Sequence, residues 1–279
     1  MYISYTDHLL TIQRQKQTRL CVGIDPDPDK LPKGYTWTPR CLFRFARNII
    51  EATAEYACCF KPNQGFWAAC GAEAALELLI DTIHDQYNMP VTLDGKRGDI
   101  ANSAKMYARE MFERYNADAA TINAYLGADT LEPWLGSGPS RAVYCLCHTS
   151  NKGAGQLQEQ ALESGRKVFV EMAAITTAMA TTETACVGLV MGATFPDQIL
   201  DLNGVVPVST PLLIPGIGKQ EGELLKTLRN CHQYPFVINS SGAIIHASQE
   251  MDFAAKAARV ARKTRDEINE ALRQLAEAV

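Results

Sequence analysis

Along the chain, short uninterrupted apolar runs alternate with longer segments of helical period. The runs are Leu20 to Ile24, Ala57 to Phe60, Pro90 to Leu93, Ala117 to Ile122, Ala142 to Cys147, Cys186 to Met191, Leu212 to Ile214 and Phe236 to Ile238. Their polarity does not alternate, which predicts strands covered on both faces, as in a parallel sheet. Between them, Leu42, Phe45, Ala46 and Ile49 fall on one face of a helix, as do Leu76, Leu79, Ile80 and Ile83. Eight strands, each followed by a helical segment, predict an α/β fold of the (β/α)8 TIM-barrel type, with residues 1–279 as one domain. A doubly wound open sheet is the alternative, but no Gly-x-Gly-x-x-Gly follows the first strand. The polar stretch Asn151 to Lys167 is longer than a usual connection and is a candidate lid. Gln249 to Val279 reads as a closing helix packed through Phe253, Val260, Ile268 and Leu272.

Composition narrows the function classes. With 47% hydrophobic and 21% charged residues the chain is neither disordered nor fibrous. The net charge of -4 argues against a broad basic footprint for a nucleic-acid polymer or an anionic membrane, so any anion must be met locally. No secretory signal and no run of about 18 apolar residues occurs, and a cytoplasmic protein is expected. Nine cysteines, an odd number set in apolar runs, read as buried free thiols of a reducing compartment. Cys145-Leu146-Cys147-His148 has its thiols one residue apart in a strand and no second ligand pair at a zinc-like spacing, so no metal is expected.

In a barrel the loops at the carboxyl ends of the strands converge on one mouth. The residues ending the eight runs are Asp25, Lys61, Asp94 with Lys96, Asn123, His148-Thr149-Ser150-Asn151, Gly192, Pro215-Gly216-Ile217-Gly218 and Asn239-Ser240-Ser241-Gly242. Charged groups gathered after apolar strands are costly unless they pair, so this ring marks a site. The densest stretch is Asp94-Gly95-Lys96-Arg97-Gly98-Asp99, an amine between two carboxylates. Carboxylates at about 4 Å would each hold the lysine as a cation by roughly 4 kcal/mol at an effective dielectric near 20, which suits a proton donor or charge clamp. Glycines after strands seven and eight suit a phosphate bound by backbone N–H groups.

These residues resemble the orotidine 5′-phosphate decarboxylase family. Asp94-x-Lys96-x-x-Asp99-Ile100, with Ser103 following, resembles its Asp-x-Lys-x-x-Asp-Ile signature. Leu20 to Asp25, Phe60-Lys61-Pro62-Asn63, His148 to Asn151 and Ile214 to Gln220 resemble its other blocks, in order, and the Lys-Pro-Asn and Thr-Ser-Asn versions resemble its longer-chain branch. The resemblance implies conversion of orotidylate to UMP without a metal or organic cofactor. It implies that Asp25 and Lys61 bind the ribose hydroxyls and that Asp94, Lys96 and Asp99 alternate around C6 of the pyrimidine, with Lys61 extending the charge network. Lys96 would protonate the C6 carbanion. Asp99 and Ser103 would reach the neighbouring subunit's site in a homodimer. Ser150 would read the ring, and Gln220 with the Gly216-Ile217-Gly218 turn would hold the phosphate. Asn123, Pro215, Ser241 and Gly242 complete the expected substrate-binding set.

One position departs from the pattern. The family reads Ser-Arg after strand eight, its arginine gripping the phosphate, whereas this chain has Ser241-Gly242. Lys219 and Arg97 are the nearby cations that could stand in. Two alternatives stay open: an Mg²⁺-dependent sugar-phosphate aldolase or decarboxylase of the same superfamily, and a degenerate nucleotide-binding protein.

Overall fold

The computed structural model describes residues 4–216 and 221–277. Its elements, in chain order, are α1 (Tyr5–Lys16), β1 (Leu20–Ile24), α2 (Pro39–Thr53), β2 (Cys59–Pro62), α3 (Gln64–Ala68), α4 (Glu73–Tyr87), β3 (Thr92–Arg97), α5 (Ala101–Arg109), β4 (Ala119–Ile122) and α6 (Glu132–Leu135). There follow β5 (Ala142–His148), α7 (Val168–Ala178), β6 (Cys186–Met191), β7 (Leu212–Pro215), α8 (Glu221–Cys231), β8 (Phe236–Ser240), α9 (Gly242–Ile245) and α10 (Phe253–Glu277). All seven strand pairings in the sheet are parallel, in the order β2-β1-β8-β7-β6-β5-β4-β3. Parallel bridges Phe60–Val91 and Asn63–Asp94 join β2 to β3 and close the barrel, which excludes the open-sheet alternative.

The strands are buried along almost their whole length because helices cover their outer faces. α2 opens at an N-cap, where the Thr38 hydroxyl accepts from Cys41 N–H at 3.4 Å and Pro39 sits in the first turn. Its buried face is Leu42, Phe45, Ala46, Ile49, Ile50 and Thr53; that of α4 is Leu76, Leu79, Ile80 and Ile83. α1, which the apolar pattern did not single out, seals the amino-terminal end of the barrel. There the Tyr5 and Tyr144 hydroxyls meet at 3.2 Å and Gln13 donates to the Phe236 carbonyl at 2.8 Å.

Most strands shift at one or both ends by one to four residues from the apolar runs, and two differences bear on the site and its closing helix. β3 runs on to Arg97 because, after an irregularity between Leu93 and Arg97, the ladder resumes at Arg97–Ile122, so Asp94 and Lys96 lie within the end of the strand. The closing helix starts at Phe253, and its seam is Phe253, Ala257, Ala261, Ile268 and Ala271; Val260 and Leu272 are only partly buried. Alanines let α10 lie close against its neighbours, and a search for large apolar residues passes over them.

Candidate active site

The centre of the mouth is Asp94. Its Oδ2 accepts from Lys61 Nζ at 2.5 Å and its Oδ1 from Lys96 Nζ at 2.6 Å. The Thr121 hydroxyl donates to Oδ1 at 2.7 Å. Both carboxylate oxygens are thus engaged by charged or hydroxyl donors. Burial by itself pushes the Asp94 carboxyl up, but Lys61 and Lys96 outweigh it and hold it far below the usual carboxylate range. Burial works against the Lys61 ammonium too, and there Asp94 and Asp25 prevail, leaving its pKa raised. The lysines differ in access: the Lys61 side chain is 5% exposed and that of Lys96 49%. Lys96 has φ 46°, in the left-handed region that costs a residue with a side chain roughly 1–2 kcal/mol, strain of a kind that gathers at functional sites. A cavity of about 190 Å³ lies beside the pair, lined by Asn63, Gln64, Gly95 and Arg97 among others.

The neighbouring strand ends add polar groups around the same mouth. Asp25, just past β1, is half-buried; burial raises its carboxyl pKa, and Lys61 and the Ser241 hydroxyl offset this only in part. Its Oδ1 is buried and makes no hydrogen bond. Asn239 donates to the Ser241 hydroxyl at 3.2 Å. β1 admits Ser241 because Gly23 has no side chain: a Cβ there would sit 1.9 Å from Ser241 Oγ. Across the mouth, the turn at Ser150 presses on Gly192, where a Cβ would lie 2.7 Å from Ser150 N. Pro215 ends β7 paired with Asn239, and Gly216 follows with φ 85° beside Ser150. A Cβ on Gly242, by contrast, would have His246 Cδ2 at 4.0 Å as its nearest neighbour. His246 stacks on Phe45 at 5.9 Å and its Nε2 lies 3.2 Å from the Asp25 carbonyl, bracing the turn after β1.

The Asp-x-Lys array on a closed barrel has matching relatives. The family model described as "Orotidine 5'-phosphate decarboxylase / HUMPS family" matches residues 18–258. The chain belongs to this family. An orotidine 5′-phosphate decarboxylase from Cupriavidus necator is 43% identical over 271 residues, 96% of this chain and 98% of that protein. One from Aromatoleum aromaticum is 44% identical over 260 residues, 92% and 95% of the two chains. The solved structure of Leishmania donovani OMP decarboxylase is 32% identical, with a TM-score of 0.79 over 96% of this chain and 98% of that one.

The structure brings Asp25, Lys61, Asp94 and Lys96 together at the mouth, while Asp99, Ser103 and Asn123 of the same chain hydrogen-bond locally or face solvent. Asp99 makes no ion pair with Lys96 of its own chain; its Oδ1 caps the Ile100 N–H at 2.8 Å, and Ser103 is exposed in the first turn of α5. Within this chain the cluster is one carboxylate, Asp94, between two ammoniums, Lys61 and Lys96, where the sequence reading set Lys96 between two carboxylates. Asn123 is exposed, and its Oδ1 accepts from Tyr125 N–H at 3.0 Å in a local turn. Gly218, Lys219 and Gln220 lie outside the described residues. Arg97 is no substitute for the family's arginine. It is bound to Glu110 at 3.1 and 3.2 Å and stacks over Tyr107 at 4.6 Å, beside β3, with β2 and β1 between it and β8.

The candidate lid is tied to the end of β5. Gln158 accepts from Thr149 N–H at 2.9 Å, and Glu159 meets the buried His148 at 2.9 Å, which pulls the Glu159 pKa down. All nine cysteines are free; burial pushes the Cys145 thiol up to about 12. Among the described residues no group of three or more His, Cys, Asp and Glu could hold a metal ion, and no helix is long and apolar enough to cross a membrane. Thr121 is the site residue that sequence reading missed. It sits inside an apolar run, where a β-branched residue counts only as strand filler.

Proposed function

We propose that this protein converts orotidine 5′-monophosphate to UMP, unaided by metal or organic cofactor, with Lys96 as the acid. The relatives at 43 and 44% identity carry that activity in their names. The observation that most supports the mechanism is Asp94 held between the Lys61 and Lys96 ammoniums at 2.5 and 2.6 Å. Breaking the bond between C6 and the carboxylate releases CO₂ and leaves its electron pair on C6. An ammonium fixed beside that carbon stabilises the charge as it forms and then donates the proton that completes C6–H. Lys96 is the accessible ammonium of the two and Lys61 the buried one, so Lys96 takes the acid's role and Lys61 holds Asp94 ionised and in place. Asp25 would accept from the ribose hydroxyls, and Ser150, Pro215, Gly216, Ser241 and Gly242, with Gly218 and Gln220, would frame the base and phosphate. Phosphate binding far from C6 would supply energy that organises the reacting end.

The working unit in this reading is a cytoplasmic homodimer in which Asp99 and Ser103 serve the neighbouring subunit's Lys96. In support, Asp99 lies beside exposed apolar residues of the same and the next mouth loop: Ile100 is 57% exposed, Tyr125 69% and Leu126 49%. A contiguous apolar patch at such a place marks an interaction surface.

The test follows the loss of orotidylate absorbance with the purified protein, Lys96→Ala and an EDTA-treated sample. Wild type should form UMP, EDTA should leave the rate unchanged, and Lys96→Ala should lower kcat by at least about 10³-fold. Loss of activity on EDTA treatment with recovery on adding Mg²⁺ would overturn the cofactor-free mechanism, and binding of orotidylate without turnover would overturn the enzymatic reading.

A further inference from the structure

On the β3–β4 ladder, Leu93 pairs with Ala120 and the next pair is Arg97 with Ile122. Three residues of β3, Asp94, Gly95 and Lys96, therefore stand opposite one residue of β4, Thr121. A bulge of this kind interrupts the backbone ladder and re-aims the side chains on its strand. Here it also forces Lys96 to φ 46°, a conformation that persists only where surrounding contacts impose it.

The Thr121 hydroxyl supplies those contacts. It is buried, 1% exposed, and accepts the Lys96 backbone N–H at 3.0 Å while donating its own proton to Asp94 Oδ1 at 2.7 Å. A single oxygen thus binds both members of the reacting pair, the lysine by its main chain and the aspartate by its carboxylate. Its one proton is committed to Asp94, so it has none to offer a substrate.

We propose that Thr121 is a positioning residue, whose hydroxyl replaces the missing ladder bond across the bulge and fixes Lys96 relative to Asp94. Its kinetic consequence rests on the decarboxylase reading above; its structural consequence does not. Valine keeps the shape and β-branching of threonine and removes only the hydroxyl, leaving the Lys96 N–H without its acceptor and Asp94 without one donor. Serine keeps the hydroxyl.

The experiment compares Thr121→Val and Thr121→Ser with wild type in two measurements: steady-state kinetics on orotidylate, and hydrogen exchange of the Lys96 amide by NMR on ¹⁵N-lysine-labelled protein. Displacement of a reacting group by a fraction of an ångström should lower kcat of Thr121→Val about 10- to 100-fold while KM moves less than about 3-fold, since the buried Thr121 hydroxyl is committed to Lys96 N–H and Asp94. Lys96 amide exchange should speed up at least about tenfold, and Thr121→Ser should restore both. Wild-type kcat and unchanged exchange in Thr121→Val would overturn the proposal. So would equal losses of kcat and melting temperature in both variants, the mark of a purely structural role. Should wild type fail to turn over orotidylate, the decarboxylase reading falls. The exchange measurement then decides alone: lost protection in Thr121→Val supports the positioning, and retained protection overturns it.

Discussion

Replacing Asp94 by asparagine tests whether the array is held together by paired charge. The substitution keeps size and shape and removes one negative charge that touches two ammoniums, at 2.5 and 2.6 Å. The Lys96 side chain is half in solvent and loses little, because water screens it. Lys61, only 5% exposed, retains just the half-buried Asp25 as a counter-charge. Breaking a buried pair on one side costs about 3–5 kcal/mol, and at about 2–4 °C per kcal/mol for a chain of this size the melting temperature should drop by roughly 6–20 °C at pH 7. The sign with pH follows from the depressed Asp94 pKa. Stability from that carboxylate is fully present above the unfolded value of about 3.9 and fades as pH falls toward the lower folded value, so the gap between wild type and Asp94→Asn should narrow in acid. Urea melts of Asp94→Asn, Lys61→Met and the double variant, followed by circular dichroism, isolate the pairing. With both charges gone nothing is left stranded, so the double variant should lose less than the sum of the singles by about 1–3 kcal/mol. Strict additivity, or an Asp94→Asn variant as stable as wild type at pH 7, would refute the reasoning.

Asp25 carries the opposite sign: its raised pKa means that folding disfavours the charge. Asp25→Asn should therefore raise stability at pH 7 by roughly 0.5–2 kcal/mol, with the gain vanishing below about pH 4 where both states are protonated, while kcat/KM for orotidylate falls; a lower melting temperature at pH 7 would contradict this. Mixing inactive Lys96→Ala and Asp99→Ala subunits after unfolding should restore about 25% of wild-type activity, because half of the dimers are hybrids with one intact site out of two. Continued inactivity in the mixture would show that Asp99 does not act across an interface. A Cβ at Gly242 meets only His246 Cδ2, at 4.0 Å, and the position is exposed, so Gly242→Arg should leave stability within about 0.5 kcal/mol of wild type. If the guanidinium gains one charge-assisted bond to the phosphate, KM should drop about 10- to 150-fold, and an unchanged KM would show that the phosphate end is already supplied with positive charge.

How far the sequence could be read depended on the kind of signal. The eight strands announce themselves because burial on both faces demands continuous apolar runs, and the ring of strand-end residues then placed Asp25, Lys61, Asp94 and Lys96 together although β1, β2 and β3 are far apart in sequence. Polarity also misled: the run ending at Leu93 looks like the end of a strand because Asp94 is charged, yet the ladder continues to Arg97. Register shifts leave no mark in hydrophobic pattern, so neither the bulge nor the hydroxyl facing it was legible. Arg97 looked available for an anion because nothing in its neighbourhood of sequence shows that Glu110, one helix later, would meet it.

The two ends of the barrel differ in how their polar groups are satisfied, and this bears on which substitutions the chain tolerates. At the amino-terminal end Tyr5, Tyr144 and Gln13 find partners within the fold. At the carboxyl end Lys96 is left-handed, Asp25 Oδ1 and Asn239 Oδ1 make no hydrogen bond, and folding disfavours the Asp25 charge. Asp94, in contrast, is so well partnered by Lys61 and Lys96 that its carboxyl is held far below the usual carboxylate range. The mouth therefore combines one carboxylate whose charge the fold secures with another whose charge the fold resists. In the proposed reaction the secured one would hold the lysines in place and the resisted one would accept hydrogen bonds from the substrate. Substitutions at Asp94 should consequently lose stability and activity together, whereas at Asp25 the two should move in opposite directions, which separates a group kept for the fold's own array from one kept for what binds there.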